Sequence, residues 1–130
     1  MKKILVLLVY LGGFTFFTYI IVHAISVARD LKRGELIRNV FIVKDYKEYK
    51  GWHASFKCRI IIRNAEKEVY TSSSSVIGPV GRFLVNHYVP AMYSKKYNEL
   101  RLLLLPKDFK KYGLPYPDSL RWIDSLNRKY

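Results

Sequence analysis

Trp52-His53-Ala54-Ser55-Phe56-Lys57-Cys58-Arg59-Ile60-Ile61-Ile62-Arg63 is the stretch whose reading decides the fold. Ala54, Phe56, Cys58, Ile60 and Ile62 share one face, while Ser55, Lys57 and Arg59 share the other. A period of two is the signature of a half-buried strand, because successive side chains leave a strand on opposite sides. Upstream, Glu35 to Val43 (ELIRNVFIV) is rich in β-branched and aromatic residues. The charged connection KDYKEYKG, ending at Gly51, suits an antiparallel pair. Downstream, Asn64 to Lys67 turns the chain into Glu68 to Thr71 (EVYT) as a second hairpin.

Farther out, Ser72 to Gly81 (SSSSVIGPVG) offers turn chemistry and little to bury, so it reads as a loop. Arg82 to Tyr93 (RFLVNHYVPAMY) reads as an extended strand, with Pro90 marking an edge or a bend. After the polar turn Ser94 to Glu99 (SKKYNE), the run Leu100 to Leu105 is too short for an ordinary helix and reads as a buried strand closed by Pro106. Lys107 to Tyr112 suits one helical turn. Gly113 to Pro117 must be extended, because each proline restricts the residue before it. Asp118 or Ser119 is placed to cap a last helix in which Leu120, Ile123 and Leu126 share a face. The expected fold is mainly β: a small antiparallel sheet or partly open barrel of about five strands, with a short C-terminal helix.

Ahead of this domain, Ile4 to Ala28 holds no Asp, Glu, Lys or Arg. At about 1.5 Å per residue it can cross a hydrocarbon layer of roughly 30 Å as a helix. Lys2 and Lys3 before it, with Val22-His23-Ala24 or Ser26-Val27-Ala28 as cleavage sites, would suit a secretory signal. The apolar region exceeds the roughly 7 to 15 residues of such signals, which favours an uncleaved anchor. Thr15 and Thr18 can bond back to helix carbonyls, and neither Gly12 nor Gly13 heads a GxxxG pair. His23 falls where an imidazole reaches the interface. The expected organisation is a transmembrane anchor over 1–28 and a basic, mainly-β domain over 29–130, in a single-pass membrane protein.

The formal net charge is +13. Such a surface favours anionic partners without naming one. Arg29, Lys32, Arg33 and Arg38 closely follow the span and are expected to hold the domain against anionic lipid headgroups. Lys107, Lys110 and Lys111 are expected farther out, free for a partner such as another membrane protein. The same flanking charge, set against Lys2 and Lys3, places the domain on the cytoplasmic side.

The chemistry-bearing residues form no recognisable motif. His23, His53 and His87 show no HExxH and no ligand spacing. Cys58, the sole cysteine, is in phase with Phe56 and Ile60 and reads as an inert core thiol. Ser72 to Ser75 lack a GxSxG elbow, and Gly78 to Gly81 lack the Gly-Lys-Ser/Thr of a phosphate loop. No catalytic residue, metal or cofactor is assigned. A non-enzymatic binding or structural module is the first reading. An enzyme assembled from distant residues, with His53, His87 and Asp108 as the places to look, is the second. Nucleic-acid binding is the third: Tyr46, Tyr49, Trp52, Tyr93 and Tyr97 lie among lysines, a pattern that can stack bases and that also suits rings near headgroups.

An anchor, three strands, Gly81 with Val85, Tyr88 and Pro90, a polar turn, Leu102-Leu103 and Pro117-Asp118-Ser119-Leu120 follow in order. Over roughly residues 34 to 123 this resembles small bacterial membrane proteins that share a domain of unknown function. The signature there is a Val-x-Tyr-x-Pro strand; here Val85 and Tyr88 stand three apart rather than two. The resemblance implies a membrane-tethered β domain and brings no catalytic residues with it.

Overall fold

A computed structural model of the chain describes residues 1–46, 54–73, 76 and 78–129. Helix α1 (Lys2–Lys32) leads directly into β1 (Glu35–Tyr46), followed by β2 (Ala54–Ile62) and β3 (Ala65–Ser73). A helical turn α2 (Gly78–Gly81) and a 3-10 turn (Arg82–Leu84) precede β4 (Tyr88–Ser94) and β5 (Glu99–Leu102). Helix α3 (Pro106–Lys111), a 3-10 turn (Asp118–Leu120) and α4 (Arg121–Lys129) complete the chain.

The strand order is β3-β2-β1-β4-β5, with every neighbouring pair antiparallel. Three strands joined in series, with a fourth returning beside the first, form a Greek key, here extended by β5. Alternation through the order makes the two edge strands, β3 and β5, parallel to each other. They meet where Thr71 Oγ1 of β3 donates to the Leu100 carbonyl of β5 at 2.6 Å, and Lys67 Nζ of β3 reaches past β5 to Tyr93 Oη of β4 at 3.3 Å. The sheet is therefore a half-barrel, in keeping with the expected partly open barrel of about five strands.

The inward positions of that alternation are the core. Phe56, Cys58 and Ile60 of β2 are fully buried with Val40 and Ile42 of β1, and Val89, Ala91, Leu100 and Leu102 join them. Arg63 and Asn64, both at positive φ, make the two-residue turn between β2 and β3, so β3 starts at Ala65 and is longer than the EVYT segment. The connection KDYKEYKG lies outside the described residues beyond Tyr46.

Two expectations change ahead of β5. Ser72 to Gly81 is not all loop: β3 continues to Ser73, whose Oγ accepts from the Val76 amide at 3.2 Å, and α2 follows. Ser74 and Ser75 lie outside the described residues. Arg82 to Tyr93 is not one strand, because Val80 and Leu84, four apart on a helical turn, are fully buried over the Ala54 end of the barrel. Gly81 fits there because a Cβ would come within 3.0 Å of the Ala54 Cβ. Asn86, at φ 67, then reverses the chain, and its amide bonds the Ile42 carbonyl at 2.8 Å before β4 begins.

The tail departs from expectation in two places: the run Leu100 to Leu105 is strand only as far as Leu102, and neither Asp118 nor Ser119 caps the last helix. Leu103 to Leu105 are buried beyond β5, Pro106 opens α3, and the Asp108 carboxylate accepts the Leu104 and Leu105 amides at 3.1 Å each. Leu120 and Ile123 are buried and Leu126 packs beside them, so the apolar face of the last helix is the anticipated one. Asp118 sits inside a 3-10 turn and pairs with Arg121 at 2.9 Å, while Pro117 takes the capping position.

Candidate functional site

Helix α1 is long and apolar enough to cross a membrane. Its side chains from Ile4 to Ile25 are exposed to their surroundings, and Thr15 and Thr18 bond back to the Leu11 and Phe14 carbonyls. The charged segment after Ala28 continues the helix, which runs to Lys32 and inserts Val27 and Leu31 into the core of the β domain. Gly34 then lets the chain enter β1 at close quarters, because a Cβ there would collide with the carbonyl oxygen of Tyr93.

The β4–β5 turn is fastened to this helix end. Ser94 Oγ, fully buried, donates to the Asp30 carboxylate and accepts from the Tyr97 amide at 3.3 Å. The Tyr97 ring meets His23 edge-on at 5.5 Å, and His23 stacks on Tyr19 at 6.0 Å. Asn98, at φ 50, closes the turn, and its Oδ1 accepts from Tyr93 Oη at 2.7 Å. The turn thus lies alongside α1 from His23 to Asp30.

Between them opens a concavity of about 580 Å³ lined by Asp30, Arg33, Gly34, Glu35, Tyr93, Lys95 and Lys96. Arg33, Lys95 and Lys96 are exposed and make no ion pair among the described residues; Lys96 lies over the Tyr97 ring at 5.3 Å. Arg29 and Lys32 are exposed on the same last turns of α1. Three of the four residues in the first basic cluster are therefore at this end.

Arg38 is elsewhere. Ile37 pairs with Ala91 and Val40 with Val89, so β1 carries one extra residue between those pairs, and Arg38 and Asn39 sit in the resulting bulge. There they line a second cleft, of about 410 Å³, with Tyr88, Pro90, Phe109 and Tyr116. Tyr116 is held between the Leu104 and Leu120 carbonyls at 3.0 and 2.7 Å, and burial pushes its phenol up to about 12. Lys107, Lys110 and Lys111 ride on α3, beyond the far end of β5 from α1. Lys111 borders a small hollow with Ser72, Ser73 and Tyr112.

Sequence reasoning missed Lys95, Lys96, Ser94 and Asp30. The signal was the pair of lysines beside a tyrosine in SKKYNE, but its proximity to α1 depends on β4 running back along β1, which local pattern does not reveal.

The remaining candidates are occupied structurally. Burial pushes the Cys58 thiol up to about 12, so it is not a thiolate near neutral pH. The His87 ring packs on Trp122 at 4.9 Å, and Asp108 caps α3. His53, Tyr49 and Trp52 lie outside the described residues. Among the described residues, no three His, Cys, Asp or Glu side chains converge as metal ligands. On the outer face of β2 and β3, Lys57 pairs with Glu68 and Arg59 with Glu66, each at 3.0 Å, and the Glu68 partner holds the Lys57 ammonium above its ordinary pKa. The rings of Tyr46 and Tyr70 meet there at 6.0 Å. That face combines rings with balanced charge rather than a basic groove. No family model matches the chain, and no curated protein or solved structure does.

Proposed function

We propose that the chain is a single-pass membrane protein whose β domain is a non-enzymatic binding module held at the bilayer surface, with anionic lipid headgroups as its partner. The observation that carries this reading is the insertion of Val27 and Leu31, on the helix that would span the bilayer, into the domain's own core. About 20 residues cross the hydrocarbon, so a span entered at Ile4 leaves it near His23. The segment from His23 to Asp30 then occupies the next ~10 Å, the depth of the headgroups. The β4–β5 turn is fixed to that segment, which brings Lys95 and Lys96 to the same level as Arg29, Lys32 and Arg33. Basic residues at such a surface contribute about 1 kcal/mol each. Their position on the flank opposite Lys2 and Lys3 also favours a cytoplasmic domain.

A second reading, a protein partner, is favoured by the cleft at Arg38, where Tyr88 is 65% exposed above an apolar floor. The two are separated by hydrogen exchange on the full chain in lipid nanodiscs. Engagement of anionic lipid slows exchange at residues 95–98 as acidic lipid content rises, and high salt reverses the effect. Unchanged exchange between neutral and acidic nanodiscs would remove the lipid reading. Recovery of a soluble form beginning near Ile25 from cells would remove the anchor.

A further inference from the structure

The cations at the α1 end do more than add to a diffuse charge. We infer that the concavity between α1 and the β4–β5 turn is a discrete site for one phospholipid headgroup, with a phosphodiester among Arg33, Lys95 and Lys96 and a hydroxyl-bearing arm donating to Glu35. The inference rests on the membrane reading above and names its ligand. Its lining holds three cations and two carboxylates. Asp30 is engaged by the Ser94 hydroxyl, whereas Glu35 is exposed and makes no ion pair among the described residues. One net positive charge remains, which matches a headgroup of one net negative charge rather than a neutral one. An acceptor beside the cations matches a headgroup that also carries donors.

The site is also built, because the parts that shape it are buried or pinned. Tyr93, 3% exposed, forms the floor against Gly34. The Asp30–Ser94–Tyr97 hydrogen bonds hold the lysine-bearing turn open beside the helix. At about 580 Å³ the space falls within the range of small-ligand sites. Basic pockets between membrane helices bind anionic headgroups, and here the β4–β5 turn stands where a second helix would.

The test is native mass spectrometry of the full chain released from nanodiscs in which a neutral phosphatidylcholine matrix carries phosphatidylglycerol, phosphatidic acid or phosphatidylethanolamine at equal mole fraction. One phosphatidylglycerol should be retained per chain, ahead of the other two. Lys95→Gln and Lys96→Gln should each lower retention about fivefold, while Lys110→Gln and Lys111→Gln leave it unchanged. Glu35→Ala, which removes the acceptor, should abolish the preference for phosphatidylglycerol over phosphatidic acid, which lacks the hydroxyl arm, without abolishing retention. Preferential retention of phosphatidylethanolamine, equal loss from the α3 variants, or no retained lipid would overturn the inference. If lipid is not retained while exchange at 95–98 still responds to acidic lipid and salt, the headgroup site fails and the membrane-binding function stands. If both responses are absent, both fail.

Discussion

The two basic ends of this domain carry similar charge on different scaffolds. At the α1 end, Arg33, Lys95 and Lys96 ring a concavity whose floor and hinge are buried groups: Tyr93, Ser94 and Leu31. At the α3 end, Lys107, Lys110 and Lys111 stand on a six-residue helix exposed to solvent, and the hollow beside Lys111 is only about 40 Å³. The middle of the barrel differs from both, since Lys57 and Arg59 are matched by Glu68 and Glu66. Charge that is matched across a hairpin supports the sheet by tenths of a kcal/mol per pair. Arg33, Lys95 and Lys96, unmatched around a hollow beside an apolar helix, are the cations to which the lipid proposal assigns binding.

The largest expected effect tests whether α1 belongs to the domain. Leu31 is 2% exposed, so Leu31→Ala should cost about 2–5 kcal/mol in denaturant unfolding of the full chain in detergent. A cost near zero would mean that the helix end is only laid against the barrel. Ser94→Ala comes next: it strips the Asp30 carboxylate of a buried partner, and a loss of about 1–3 kcal/mol is expected from the same unfolding curves.

Cys58 reports on both changes. As the sole cysteine, buried and with its thiol pushed up to about 12, it should resist alkylation in the native chain, and raising the pH from about 7 to 9 should bring no thiolate-driven acceleration. Its folded pKa lies above the ordinary value, so the protonated form persists until the pH approaches the raised value. Leu31→Ala should speed labelling through opening of the barrel. Native labelling as fast as that of a free thiol would contradict the burial at the centre of β2. The smallest stability effects belong to the surface: Lys95→Gln and Lys110→Gln should each change unfolding free energy by less than about 0.5 kcal/mol, and differ only when acidic lipid is present.

Much of this architecture is written in local pattern. The alternation from Ala54 to Ile62 identifies β2 and its buried face, and the Leu120, Ile123, Leu126 spacing identifies the face of α4, because in both cases one side chain period suffices. Val80 and Leu84 were hidden because their helical spacing spans only one turn between a glycine-proline pair and a β-rich segment. Arg38 reads as part of the first basic cluster by proximity in sequence, yet a bulge in β1 turns it toward Tyr88 and Pro90. The α1 end proposed to bind lipid was least legible. Lys95 and Lys96 are more than sixty residues from Asp30 in the chain, and only the return of β4 along β1, sealed by Ser94, makes them neighbours.

If the domain is held at the bilayer as proposed, the β4–β5 turn lies in the headgroup layer while α3 stands clear of it. A nitroxide placed at Lys96→Cys or Lys110→Cys in the full chain, reconstituted in vesicles with the buried Cys58 left unlabelled, reads that difference through collision with lipid-soluble oxygen and a water-soluble nickel complex. The label at 96 should be shielded from nickel and positioned at headgroup depth, and the label at 110 fully accessible from water. Equal aqueous access at both positions, or a deeper label at 110, would contradict that placement.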